Sequence, residues 1–163
     1  MAATYVPLAT TTLGSAQSSV TFSSISGSYT DLIVVYAGSG TSVNTQAIYL
    51  QFNSDTGTNY SLTQLTGNGS SASSARDTNI AWLTLCSNNT NTSQNNAIMQ
   101  IANYSNTTTY KTAIWRNNDP SARLQASVGL WRSTSAITTI TLKPESGTIN
   151  SGCTFTIYGI KAA

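Results

Sequence analysis

Apolar and polar residues alternate in short runs along the whole chain, and turn-forming residues separate the runs. Within the runs, β-branched and aromatic residues are frequent, whereas Gly, Asn, Asp, Pro and Ser fill the breaks, which is typical of strands joined by turns. No stretch of helical length repeats apolar residues at three- and four-residue spacing. The pattern predicts strands at residues 5–12, 18–22, 31–37, 47–53, 60–66, 80–86, 97–101, 111–116, 124–131, 137–142 and 154–160.

Two of these segments alternate clearly, and we expect both strands to be half-buried, with one apolar face and one face of Gln, Ser or Tyr. Their apolar positions are Ile48, Leu50 and Phe52 in one segment and Leu124, Ala126, Val128 and Leu130 in the other. Residues 31–37 are apolar without alternation, which predicts a central strand covered on both faces. The longest polar connections, residues 67–79 and 87–96, predict exposed loops.

The predicted fold class is all-β, a jelly-roll-like antiparallel β-sandwich of about ten short strands. The 163 residues fit a single domain, 1–163. Residues 1–12 contain Tyr5, Val6 and Leu8 in otherwise polar sequence. This segment is either an N-terminal arm laid across another protein or an ordinary edge strand, and the sequence favours neither.

Charge is scarce and scattered, and this narrows the possible partners. Only 7% of residues are charged, whereas Ser, Thr and Asn make up 66 of the 163. The net charge of +2 comes from seven dispersed cations, so no basic stripe for nucleic acid is present. The longest apolar run is too short to span a membrane, and residues 1–7 show no positively charged segment before an apolar one. We expect no membrane association and no targeting signal.

The chain has no histidine, which excludes Ser-His-Asp and Cys-His catalysis and histidine-based zinc sites. Thr108 and Lys111 have the spacing of a Thr-Lys pair, but a strand would put them on opposite faces. Three of the five carboxylates, Asp55, Asp119 and Glu145, flank Gly or Pro and are expected to cap turns. The five carboxylates are Asp31, Asp55, Asp77, Asp119 and Glu145. We predict no enzymatic activity, no cofactor and no metal.

Cysteines and aromatic residues offer the remaining candidate chemistry. Cys86 and Cys153 are predicted to be buried thiols, with a structural disulfide as the alternative. The three tryptophans, Trp82, Trp115 and Trp131, lie in apolar runs and are predicted to be core residues. Three tyrosines lie beside polar stretches, where they either contact a protein or a sugar or pack against a neighbouring strand. These tyrosines are Tyr60, Tyr104 and Tyr110.

Six segments follow one another over nearly the whole chain: TTLGS at 11–15, SVTFSSI at 19–25, YTDL at 29–32, FNSDTGTNYS at 52–61, GLWRS at 129–133 and FTIYGI at 155–160. Together, in this order, they resemble a virion surface domain of tailed bacteriophages, including cyanophages. Domains of this kind occur in capsid decoration (cement) proteins and at tail-fibre tips. The resemblance supplies no catalytic residues.

The resemblance implies a β-sandwich on the virion surface, often a homotrimer, made in the cytoplasm of the host bacterium. Strand-like sequence begins at about Tyr5, so we expect no fibre shaft and favour a cement protein bound to the major capsid protein. The alternative is a tail-fibre or receptor-binding module that contacts a host surface glycan. In either case the predicted interface residues are Tyr5, Val6, Leu8, Tyr60, Tyr104 and Tyr110.

Overall fold

A computed structural model describes residues 4–40, 46–89, 93–120 and 123–161. In these ranges every regular element is a β-strand, and none is a helix that could cross a membrane. The strands are β1 (Tyr5–Thr12), β2 (Val20–Phe22), β3 (Asp31–Gly38), β4 (Gln46–Phe52), β5 (Tyr60–Gly67), β6 (Ala72–Ile80), β7 (Leu83–Asn89), β8 (Asn95–Ala102), β9 (Lys111–Asp119), β10 (Arg123–Trp131), β11 (Ile140–Pro144) and β12 (Thr154–Ile160).

The strands form two antiparallel sheets that enclose one core. The larger sheet has the order β1-β12-β3-β8-β9-β10-β5-β6, and the smaller has the order β2-β11-β4-β7. The predicted fold class, an all-β antiparallel sandwich, is therefore confirmed. Residues from both sheets fill the space between them. For example, the ring centroids of Phe52 in the smaller sheet and Trp131 in the larger sheet are 5.5 Å apart. A core of this size can stabilise the domain without metals or disulfides.

Most of the predicted core is confirmed at the level of residues. Cys86 and Cys153 are buried thiols that form no disulfide, and burial raises the pKa of Cys86 to about 12. Trp115 and Trp131 are buried. Trp82 is an exception, because it is only half-buried and stacks on Tyr49 with ring centroids 4.5 Å apart.

Strand β3 shows how the larger sheet is covered. Leu32, Val34 and Tyr36 point into the core and are fully buried. On the outer face of the sheet Ile33 is also buried, whereas Val35 and Ala37 remain partly exposed, so the prediction that both faces are covered is correct only at Ile33. The physical reason is that the smaller sheet packs against only one side of the larger sheet.

The termini of several strands differ from the prediction. Residues 67–79 were expected to form a loop, but most of them belong to β6, whose side chains are exposed on both faces and therefore show no apolar period. The loop predicted at 87–96 is shorter, because β7 continues to Asn89 and β8 begins at Asn95. Of residues 1–12, those in β1 form an edge strand paired with β12, while residues 1–3 lie outside the described ranges.

Candidate functional site

The apolar side of β10 points away from the core. Leu124, Ala126 and Val128 are exposed, whereas Gln125 and Ser127 are buried. The strand is half-buried as the alternation predicts, but its buried half is the polar one. In β4 the same kind of pattern has the ordinary orientation, because its apolar residues lie in the core. Strand β10 is therefore inverted relative to the usual rule for a half-buried strand.

The inward side of β10 explains the inversion. Trp131 is buried at the end of the strand and donates a hydrogen bond from Nε1 to Asp55 at 2.6 Å. Two residues earlier, Gly129 leaves the space that Leu83 and Trp115 occupy, since a Cβ there would lie 2.8–2.9 Å from their side chains. Side chains alternate along a strand, so these two positions also direct residues 125 and 127 inward.

Hydrogen bonds make the burial of Gln125 tolerable. Its side-chain amide donates to Thr66 Oγ1 at 3.0 Å and to Gln64 Oε1 at 3.4 Å, and its oxygen accepts a hydrogen bond from Ser87 Oγ. A buried amide with such partners costs far less than an unsatisfied one. The interior is thus adapted to the polar side of β10, and the apolar side is left for the surface.

Strand register extends the exposed apolar side across the neighbouring strands. Ile114 on β9 lies opposite Val128, and Leu65 on β5 lies opposite Ala126. Ile114 is 62% exposed. We call the following set the outer apolar face: Leu65, Ile98, Ile114, Leu124, Ala126 and Val128. Seven large apolar side chains are exposed in the described residues, and five of them belong to this face, so the exposure is concentrated in one place.

Arg116 lies in the middle of the outer apolar face. On β9 it is opposite Ile98 of one neighbouring strand and Ala126 of the other. Shallow depressions of about 470 Å³ and about 200 Å³ lie on its two sides, and Ile98 lines both of them. The guanidinium makes no ion pair or hydrogen bond with any described residue. Within the described part of the chain, this cation therefore lies beside apolar side chains without an ion pair or hydrogen bond.

Residues 5–12 contribute to this region only at its border. Tyr5 is exposed and lines the larger depression, on the side away from β10. Val6 is half-buried, and Leu8 packs partly against the core. The structure therefore brings Tyr5 to the outer apolar face, whereas Leu8 serves the ordinary packing of an edge strand.

The three tyrosines that were predicted beside polar stretches differ from one another. Tyr60 and Tyr104 are fully buried, so an exposed interface role for them is wrong and the packing alternative is correct. Tyr60 accepts a hydrogen bond from the Phe52 amide at 2.9 Å, and Tyr104 donates its hydroxyl hydrogen to the carbonyl of Ser26. The residues before them, Asn59 and Asn103, are exposed while the rings point inward. Tyr110 is exposed just before β9, outside the outer apolar face.

Groups that could have suggested catalysis have structural partners. Lys111 is buried, and its Nζ donates to the carbonyls of Thr109 and Thr134 at 2.8 and 3.1 Å. Burial lowers the pKa of Lys111. The hydroxyl of Thr108 donates instead to Asn106. Among the described residues, His, Cys, Asp and Glu form no group of three or more that could hold a metal ion.

The predicted turn roles of the carboxylates are confirmed for Asp55 and corrected for Asp119. Asp55 accepts hydrogen bonds from the Gly57 amide and the Asn59 side chain. Asp119 is the last residue of β9 and is buried, because its side chain points inward at the end of the strand. Asp31 begins β3, as predicted, and accepts hydrogen bonds from Gln100 and the Asn103 amide.

Sequence reasoning missed the outer apolar face. The alternation in β10 was visible, but an apolar stripe is normally assigned to the core. One signal could have found the correct orientation: Trp131, Gly129 and the polar residues 125 and 127 share one side of the strand, and a predicted core tryptophan fixes that side as the buried one.

Comparisons with known proteins support the fold and no more than the fold. No protein-family model and no curated protein sequence matches the chain. The exo-inulinase from Aspergillus awamori superposes with a TM-score of 0.50 and 16% sequence identity over 96% of this chain. This chain spans only 29% of the exo-inulinase chain. At this identity the similarity shows a shared β-sandwich fold alone.

Two further structures are more distant. A galectin from Caenorhabditis elegans has a TM-score of 0.37 with 9% identity, over 91% of this chain and 94% of the galectin. An alginate lyase has a TM-score of 0.38 with 8% identity, over 93% of this chain and 77% of the lyase. Superpositions of this quality support no inference about function.

Proposed function

We propose that this protein is a non-enzymatic structural module that attaches to a protein surface through its outer apolar face. The orientation of β10 is the observation that carries the proposal. This strand buries Gln125 and Ser127 while it exposes Leu124 and Val128. A strand free of other constraints would turn these aliphatic side chains inward, since each gains about 1.5–3 kcal/mol on full burial.

The outer apolar face is large enough to form the centre of such an interface. Its residues lie on four adjacent strands, β8, β9, β10 and β5, which span roughly 19 Å at about 4.8 Å per strand, and the five residues 124–128 span about 17 Å along them. The face therefore measures roughly 320 Å², which is within the range of the largest apolar patches on monomeric proteins. A partner that covered it would bury about 640 Å² in total, so a specific stable interface, which needs more than about 1,000 Å², also includes the polar residues around the face.

Within this class, we propose capsid decoration: a cement protein on the virion surface of a tailed bacteriophage, bound to the major capsid protein. The segments that resemble phage virion domains support the phage assignment, and an outer apolar face that spreads over four adjacent strands supports attachment by area. The low charge also fits, because hydroxyl and amide groups cost less to desolvate than ions. A homotrimer remains part of this proposal.

A receptor-binding role is the second candidate, and one observation favours it. Tyr49 on β4 stacks on Trp82, which lies just before β7, and both are only half-buried, which gives the smaller sheet an aromatic surface at this edge. In this alternative the module contacts a host surface glycan. The two candidates use opposite sheets, so variants of each sheet separate them.

The experiment counts copies in purified virions and then tests the outer apolar face. We expect hundreds of copies per particle, all on the head. The double variant Ile114→Asn/Val128→Asn should bind particles that lack the protein at least about tenfold more weakly, because it removes apolar contacts at the face. Its control is Thr21→Asn/Thr141→Asn on the smaller sheet, which should bind normally. A handful of copies, or equal binding by both variants, would contradict the proposal.

A further inference from the structure

We infer that the partner of the outer apolar face is a different protein chain and that this partner places a carboxylate against Arg116. The inference rests on the proposed docking role of the face and names what the partner must carry there. Docking would cover Arg116, which lies between Ile98 and Ala126 in the middle of the face.

Covering Arg116 requires a partner for its charge. Removal of a guanidinium from water is strongly unfavourable unless an opposite charge and hydrogen bonds replace the water. Arginine has a planar fork of N–H donors that fits a carboxylate with two parallel hydrogen bonds. Arginine is also enriched among the residues that dominate binding energy, usually near the centre of an interface. An apolar face with a central arginine therefore selects a partner that has an acidic residue inside an apolar patch.

The residues packed around Arg116 provide no carboxylate for it. On the outer side of β8 its neighbours are Asn96, Ile98 and Gln100, and on β10 they are Leu124 and Ala126. Asp31, on the next strand, already accepts hydrogen bonds from Gln100 and from the Asn103 amide. Arg76 on β6, which lines a depression with Val128, is a second cation. Asp119 and Arg123 line a depression with Leu124 at the far end of the face, but the Asp119 side chain is buried. No carboxylate side chain of the described residues pairs with Arg116, so we expect the carboxylate to come from another chain.

A second copy of the chain fits this requirement poorly. Two copies docked face to face about a two-fold axis would bring one Arg116 toward the other, and like charges repel. Four of the five carboxylates are already engaged or buried: Asp31, Asp55, Asp119 and Glu145. Asp77 is exposed, but it lies on β6 next to Arg76 and on the opposite side of that strand. A distinct, acidic partner is the better match.

The test replaces the guanidinium of Arg116 with an amine and identifies the carboxylate to which this amine can be cross-linked. Virions are assembled with Arg116→Lys protein and treated with a water-soluble carbodiimide, which joins an amine to an adjacent carboxylate as an amide. Mass spectrometry should find the introduced amine linked to an Asp or Glu of another chain. Unmodified Arg116 cannot form this link, so wild-type virions are the background control. Arg76→Lys, on β6, controls for an accessible amine that is not central to the face.

Binding measurements make the outcomes distinct. Arg116→Glu should weaken particle binding at least about tenfold and leave the mass of the free protein unchanged. A cross-link to a carboxylate of a second copy, or a change in the mass of the free protein, would overturn the inference in favour of self-association. Normal binding by Arg116→Glu together with weak binding by Ile114→Asn/Val128→Asn would overturn the inference that the partner has a carboxylate at Arg116. It would still support docking through the outer apolar face. Normal binding by both variants would overturn the proposed function as well.

Discussion

At the scale of single residues, Asp55 connects the turn after β4 with the end of β10. Its carboxylate accepts hydrogen bonds from Trp131 Nε1 at 2.6 Å, from the Asn59 side chain at 2.9 Å and from the Gly57 amide at 2.8 Å. Desolvation by burial opposes ionisation, but the hydrogen bonds from Trp131, Asn59 and Gly57 outweigh it and lower the pKa of Asp55. The ionised carboxylate therefore favours the folded state and helps hold Trp131 inside.

The lowered pKa predicts a pH-dependent effect of Asp55→Asn. The folded protein binds the proton of Asp55 less readily than the unfolded chain does. The ionised carboxylate therefore stabilises the fold fully above its ordinary pKa of 3.8, and this stabilisation is lost as the pH falls through the lowered pKa. We expect a loss of about 1–2 kcal/mol in the free energy of unfolding at pH 7 that shrinks markedly at pH 2–3. Urea unfolding at both pH values measures it. An equal loss of unfolding free energy at both pH values would contradict the prediction. The control Asp77→Asn, on the exposed β6, should change the free energy of unfolding little at either pH.

At the scale of strands, Gly129 lets β10 pack its inner side against β7 and β9. A methyl group at this position would lie 2.8 Å from Leu83 Cδ2 and 2.9 Å from Trp115 Cζ3. We predict that Gly129→Ala lowers the free energy of unfolding by about 1–3 kcal/mol through overpacking. Gly67→Ala on the neighbouring β5 is the matched control, since its Cβ would enter open space. Denaturant unfolding compares the two, and equal stabilities would contradict the proposed packing.

The strands also show what the sequence can and cannot predict. Alternation in β4 and β10 correctly predicts a strand with two unlike faces, because a period of two follows from backbone geometry alone. Alternation alone does not determine which face is buried in β10. The predicted core residue Trp131 indicates the buried side, and contacts with residues distant in sequence, such as Leu83 and Trp115, hold that side inward. The polar strand β6 has no apolar period to detect. The outer apolar face was missed for a related reason. Its residues lie on four separate strands and become neighbours only through the pairing register of those strands, which the sequence does not show.

At the scale of the whole molecule, the larger sheet ends in two edge strands, β1 and β6. An edge strand presents unpaired backbone groups that can bind the edge of another molecule, and charged side chains discourage this contact. The chain has only seven basic and five acidic residues. One of each, Arg76 and Asp77, lies side by side in the middle of β6, on opposite faces. We expect this pair to limit edge-to-edge association through β6.

The placement of this pair predicts an aggregation phenotype. Arg76→Thr/Asp77→Thr keeps the net charge and suits a strand, but it leaves β6 without charge on either face, so we expect the lag before aggregation to shorten several-fold. Light scattering of concentrated protein at 37 °C measures the lag. The control Lys143→Thr/Glu145→Gln also removes one charge of each sign, around the end of the interior strand β11. Because β11 is paired on both sides, removing charge there exposes no new edge, and the control should behave like the wild type. If both variants aggregate equally, overall charge matters more than the edge.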